Sequence, residues 1–82
     1  MKIYILTNLI ESEEDGAEVN VIGVEKTLKD IRKQMKIAIE EAKEMYEEND
    51  VEYEIDKIDD NTIVISTDVD ERIEFNIFEK EI

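Results

Sequence analysis

The sequence predicts an α+β domain: a two-layer ββαβββ arrangement, with one long amphipathic helix packed on one face of a mostly antiparallel five-stranded sheet. Three observations predict it. One stretch, Leu28 to Tyr46, repeats apolar residues at spacings of three and four, the period of a helix with one buried stripe. On both sides of it, apolar residues recur at a spacing of two in short runs broken by polar turns, the period of half-buried strands. The chain has 82 residues, enough for one domain covering residues 1–82. One helix covering one face of a sheet is the simplest layered solution for that inventory.

The first strand is read from Lys2 to Ile10. Ile3 and Ile5 lie on one face, Tyr4 and Leu6 on the other, so the strand is apolar on both faces and belongs inside its sheet, beside the fifth strand. Polar Thr7 and Asn8, followed by acids, make this stretch a strand rather than a signal peptide, which needs a longer apolar run and a small-residue cleavage site. The polar cluster Glu11 to Glu18, with Gly16, is a loop. Val19 to Val24 is the second strand, so the two form an antiparallel hairpin. Gly23 inside that strand marks a bulge or a close approach.

Thr27 is the helix N-cap, with Asp30 at the N3 position. The buried stripe is Leu28, Ile31, Met35, Ala38, Ile39, Ala42, Met45 and Tyr46. Ile37 lies about 200° from Met35 at about 100° per residue, which makes it the large apolar residue of the far face. The helix ends near Asn49, a C-terminal cap. Val51 to Ile58 is the third strand, with Val51, Tyr53 and Ile55 on one face and Glu52, Glu54 and Asp56 on the other. Asp59 to Asn61 turn the chain into the fourth strand, Thr62 to Thr67. Asp68 to Glu71 turn it again. The fifth strand runs from Arg72 to about Phe78, and Glu79 to Ile82 either extend it or fray. Helix-facing residues use one parity of each strand, which leaves apolar side chains such as Val64 and Phe78 on the opposite, open face. A large patch there would mean a dimer or another partner.

Composition excludes several function classes. Cysteine and histidine are both absent, which removes disulfides, thiolate chemistry, the commonest general base and imidazole metal ligands. Ser12 and Ser66 are the only serines, and no histidine is present to activate them. Gly16 and Gly23 do not form a phosphate-cradling loop. The acid runs from Asp56 and from Asp68 do not fit the calcium-loop pattern: position six is Asn61 in one and Ile73 in the other, where glycine is required. No enzyme activity, cofactor or specific metal site is expected, only loose divalent-cation binding at most. No run approaches the roughly 20 apolar residues of a membrane span, and the expected location is the cytoplasm.

Charge is the informative property. Acids outnumber bases 24 to 10, for a net charge of −14. Such a field repels nucleic acid and anionic membrane and favours a basic partner. Glu40 to Asp60 alone holds eleven acids and two lysines. Lys26 to Ile39 carries +4, and Glu40 to Asp50 carries −5. A helix dipole prefers acids first and bases last, so the pattern opposes local stability, as functional surfaces often do. In the third strand, Glu52, Glu54 and Asp56 stand about 6.7 Å apart, a carboxylate line comparable with the phosphates of a nucleic-acid strand. The alternative is an edge strand protected by charge against edge-to-edge pairing; both place this strand at the edge. The partner-binding residues expected are Glu40, Glu41, Glu44, Glu47, Glu48, Asp50, Glu52, Glu54 and Asp56.

The whole chain resembles the small acidic proteins of bacteriophages and mobile elements. These open with a strand such as MKIYILTN, pass through a hairpin and a lysine- and glutamate-rich helix, and close on strands ending like IEFNIFEKEI. The resemblance is one of size, charge and texture. It implies an anti-CRISPR or other anti-defence inhibitor of the DNA-mimic type, whose partner is the nucleic-acid-binding groove of a CRISPR effector or another defence protein. The competing expectation is a homodimer joined through the open sheet face, with acids serving solubility alone.

Overall fold

The computed structural model describes residues Met1 to Ile82. It has five strands and one helix: β1 (Lys2–Ser12), β2 (Gly16–Glu25), α1 (Leu28–Glu48), β3 (Tyr53–Asp59), β4 (Thr62–Thr67) and β5 (Glu71–Glu81). The strands form one sheet in the order β2-β1-β5-β4-β3, and every neighbouring pair is antiparallel. The predicted two-layer α+β fold is therefore present. The doubly apolar first strand is interior and sits beside the fifth, and the acidic third strand is an edge.

Two boundaries differ from the sequence reading, and a third follows one of the two alternatives it left open. The β1–β2 loop shrinks to Glu13–Asp15, because Glu11 pairs with Ala17 and Ser12 with Gly16. Gly16 has φ +76°, a left-handed conformation that glycine adopts without steric cost. β5 does not fray after Phe78: Glu79 pairs with Tyr4 and Lys80 with Ile3. Val51 is not in β3. It follows Asp50, which is left-handed at φ 55°. The Val51 amide donates to the Tyr46 carbonyl over 2.9 Å, and the Asp50 amide to that of Glu47 over 3.3 Å. This pair of bonds is the Schellman ending of a helix.

The helix caps itself as the sequence suggests at its start. The Asp30 amide donates to Thr27 Oγ1 over 3.1 Å. The core is Leu6, Ile31, Met35, Ala42, Tyr46, Ile65, Ile73, Phe75 and Ile77, where one parity of the central strands meets the helix stripe. Met45 leaves that stripe: it is 44% exposed at the helix flank.

The helix lies nearest β1 and β2, with β5 next. Here the end of the Gln34 side chain lies over Gly23, in space a Cβ would take, and Ile31 stands at contact distance. The Gln34 amide side chain in turn donates to Glu25. A register shift between Leu6 and Thr7 leaves Ile22 as the extra residue of β2, so Gly23 marks both the bulge and the close approach that the sequence left as alternatives. Because the helix favours the β2 side, the helix-facing side of β3 is thinly covered, and Ile55 is 40% exposed. Tyr53 is held there by its ring, 6.0 Å from that of Tyr46.

On the open face, pairings align Leu9 with Val19, and Ile5 with both Val24 and Phe78. Val19, Val21, Val24 and Phe78 are more than half exposed. An apolar strip thus runs along β2, β1 and β5. Val64, also on this face, is only 4% exposed.

Candidate functional site

Antiparallel alternation determines where the acids go. The β1–β2 turn, the β4–β5 turn and the helix-to-β3 loop all emerge at one end of an elongated body, 42 × 22 × 19 Å. The Asp68 amide donates to the Glu52 carbonyl over 3.2 Å, tying the β4–β5 turn to the helix-to-β3 loop. Tyr46 Oη donates to Glu71 Oε1 over 2.7 Å, tying the helix end to the start of β5. A shallow cleft at the same end is lined by Glu11, Ser12 and Glu13 from one turn and by Thr67, Asp70 and Glu71 from the other.

The result is an acidic pole built from three separate segments. Glu13, Glu14 and Asp15 come from the first turn, Glu44, Glu47, Glu48, Asp50 and Glu52 from the helix end and loop, and Asp68 and Asp70 from the last turn; all ten are exposed. The two nearest bases are already engaged. Arg72 bridges Glu11 at 3.2 Å and Glu74 at 3.3 Å, and Lys43 pairs with Glu40 at 3.5 Å. The remaining bases lie on the helix start, the chain ends and the β3–β4 turn. The carboxylates fan outward; no three of them form a group that could hold a metal ion.

Two tyrosines stiffen this pole. Tyr53 Oη donates to Glu47 Oε1 over 2.6 Å, and that bond, with burial and the charges of Glu47 and Glu40, raises the Tyr53 hydroxyl above its ordinary value. Burial, then the bond to Glu71, raises Tyr46 further. A phenol held protonated in this way is a hydrogen-bond donor to its glutamate throughout the neutral range. It holds the carboxylate in one position.

Local stability rules are broken three times here. Asp50 and Asp70 are the two non-glycine residues with positive φ, at 55° and 62°. Both occupy places where glycine is usual, the residue after a helix cap and the last residue of a three-residue hairpin loop. The last helical turn contains no base, although the dipole there favours one. At the other helix end the first turn holds both Asp30 and Lys29, so the opposition to the dipole is clearest at the acidic pole.

Of the nine residues expected from the sequence, all are exposed, and Glu44, Glu47, Glu48, Asp50 and Glu52 meet at the pole. The other four do not join them. Glu40 sits on the β3 flank of the helix, paired to Lys43. Glu41 lines a groove on the β2 flank. Glu54 and Asp56 pair with Ser66 and Val64, which puts them on the open sheet face, away from the helix. Glu52 precedes β3, so the expected line of three strand carboxylates is a pair. Sequence reasoning missed Glu13, Glu14, Asp15, Asp68 and Asp70. Their signal was topological: with strand order known, alternate turns of an antiparallel sheet must share an end.

No known protein family, curated protein or solved structure matches this chain. No helix is long and apolar enough to cross a membrane.

Proposed function

We propose that this chain is a non-enzymatic binding module whose acidic pole occupies a basic surface on another protein, one that otherwise holds nucleic acid. Its action would be that of a phage-type anti-defence inhibitor in the host cytoplasm, with a CRISPR effector or a comparable defence nuclease as the target class. The observation that carries the reading is the assembly of ten exposed carboxylates from three separate segments at one end, with aspartate at both left-handed positions where glycine would be less strained. Acids needed only for solubility could be placed anywhere on the surface. Here they accumulate where the backbone and the helix dipole disfavour them.

The test is capture of partners from host lysate on the immobilised protein, with duplex DNA as competitor and a salt gradient for elution. The expected partner is a nucleic-acid-binding protein, released by salt and by DNA, and not retained by the Glu44→Lys/Glu48→Lys/Glu52→Lys variant. Equal capture by that variant refutes the reading. A second reading, self-association through the open face, is favoured by the exposed strip of Val19, Val21, Val24 and Phe78. Light scattering decides it: a dimer that Val21→Lys converts to monomer supports this reading, and a monomeric wild type removes it.

A further inference from the structure

A groove of about 520 Å³ opens between α1 and the β1–β2 hairpin. Its floor reaches the core at Leu6 and Phe75, and its walls are Ile22, Ile37 and Met45. These three wall residues are 38%, 51% and 44% exposed. The groove exists for a local reason. Gln34 of the helix lies over Gly23 of β2, but further along, β2 turns only Asn20 and Glu18 toward the helix side, opposite Asn8 and Ile10. Asn20 Nδ2 donates to Asn8 Oδ1 over 3.1 Å, so this part of the hairpin offers amides where a helix would need apolar packing. The helix flank above it is left uncovered, and Ile37 is part of that flank.

The one charged residue that lines the groove is an acid, Glu41. Gln34, Ile37, Glu41 and Met45 line it from the helix, and the same helical row continues to Asp30 and Glu48 at spacings of three and four. That row contains no base, and neither does β2, whose charged residues are Glu18 and Glu25. The opposite helix flank differs. The cleft there, between α1 and the β3–β4 hairpin, is lined by Arg32, Lys36 and Lys57 as well as Glu40 and Asp60. The β2 flank combines an apolar trough with acids along its helical row and along β2, while Lys33 stands one helical turn before Ile37 on the side away from β2.

We infer that this groove holds a cationic amphipathic helix of a partner protein, apolar side chains in the trough and lysines or arginines against Glu18, Glu41 and Glu48. The trough follows α1 from Gln34 to Met45, about 16 Å at the helical rise, which is about three turns of a docked helix. This deepens the proposed basic partner by giving it a shape, and it rests on that reading.

The probe is a fluorescein-labelled leucine–lysine peptide about four turns long, patterned as an amphipathic helix. It is compared by anisotropy with a scrambled isomer, a leucine–glutamine peptide of the same pattern, and oligolysine. The expected result is that the patterned cationic peptide binds about ten-fold or more tighter than the other three, the scale of a buried apolar anchor. Ile37→Asn with Met45→Gln removes that advantage, while oligolysine binding, which reads the acidic pole, is unchanged. Both positions are solvent-exposed and circular dichroism checks the fold; if the pair disturbs it, Glu41→Lys on the rim is the substitute. Equal binding of the scrambled isomer, equal binding of the neutral peptide, or indifference to all these variants overturns the groove assignment while oligolysine binding leaves the acidic-pole reading standing. Loss of oligolysine binding alone, with the groove advantage kept, overturns the acidic pole and not the groove. A dimer that dissociates on Ile37→Asn also overturns the assignment, because a second copy then fills the trough.

Discussion

Asp50→Gly should make the protein more stable and a poorer binder. Asp50 has φ 55° and directly follows the helix cap, where the Val51 and Asp50 amides close the last turn. A left-handed conformation costs an L-residue about 1–2 kcal/mol, with aspartate at the low end because its short polar side chain interacts locally. Its charge also faces the negative end of the helix dipole, for another ~0.3–1 kcal/mol. Glycine removes both terms and gives back about 0.5–1 kcal/mol through the added freedom of the unfolded chain. The balance is about 1 kcal/mol of net stabilisation, or about 4–8 °C in Tm for a domain of this size. Asp50→Asn separates the two terms, since asparagine tolerates the left-handed conformation and loses only the charge. The expected order of Tm is Gly above Asn above wild type, measured by circular dichroism at moderate salt. Chemical denaturation should show the same order of midpoints with an unchanged slope. A glycine variant at or below the wild-type Tm would refute the argument that aspartate is held here against local stability.

Three further outcomes follow from the same structure. Gly23→Ala should cost about 1 kcal/mol, because the new Cβ displaces the Gln34 side chain and its bond to Glu25; Gln34→Ala in the same chain should recover most of that loss, and simple additivity of the two would contradict the contact. The net charge of −14 predicts a Tm that rises by several degrees as sodium chloride screens the pole, with a smaller rise in Glu44→Gln/Glu48→Gln; a salt-independent Tm would count against self-repulsion. Tyr46 has its pKa raised above the ordinary 10.0, so the stability it contributes is complete below about pH 10 and declines as pH rises from there toward the folded value. Tyr46→Phe should lose stability at pH 8 and show a shallower alkaline decline, measured as Tm between pH 8 and 11.5.

The sheet was legible where side-chain pattern and backbone agree. Ile3, Tyr4, Ile5 and Leu6 are apolar on both faces of one strand, and only an interior strand can bury both. β3 could be placed at the edge because Glu54 and Asp56 need solvent. What escaped the pattern was set by backbone geometry or by distant contacts. Val51 continues the alternation of Tyr53 and Ile55, yet it belongs to the helix ending, because the left-handed Asp50 turns the chain before the strand begins. Met45 fits the helical stripe, but the bulge at Ile22 and the amides of Asn8 and Asn20 leave it nothing to pack on. The expected site was half assembled: residues adjacent in sequence around the helix end stayed together, while Glu54 and Asp56 went to the other sheet face by the two-residue period of the strand.

The grouping of acids at one pole has a physical consequence for how such a surface can work. Repulsion among exposed charges is weak in water and short-ranged in salt, so a mobile acidic tail would bind a basic surface and lose the entropy of ordering itself. Here the carboxylates sit on tight turns and on the last turns of a helix. One of them, Glu47, is fixed by a hydrogen bond from Tyr53, and Glu71 beside them at the start of β5 by one from Tyr46. Both tyrosines also pack on the core or against each other, so the order of the pole is supplied by folding rather than by binding. A partner then meets a preorganised array, and the association loses less conformational freedom. The same logic separates the pole from the β3 flank, where Lys43, Lys57 and Arg32 partly cancel the field. It also gives the proposed groove on the β2 flank its part: long-range charge would direct a basic partner to this side of the molecule, and the apolar trough would distinguish one basic partner from another.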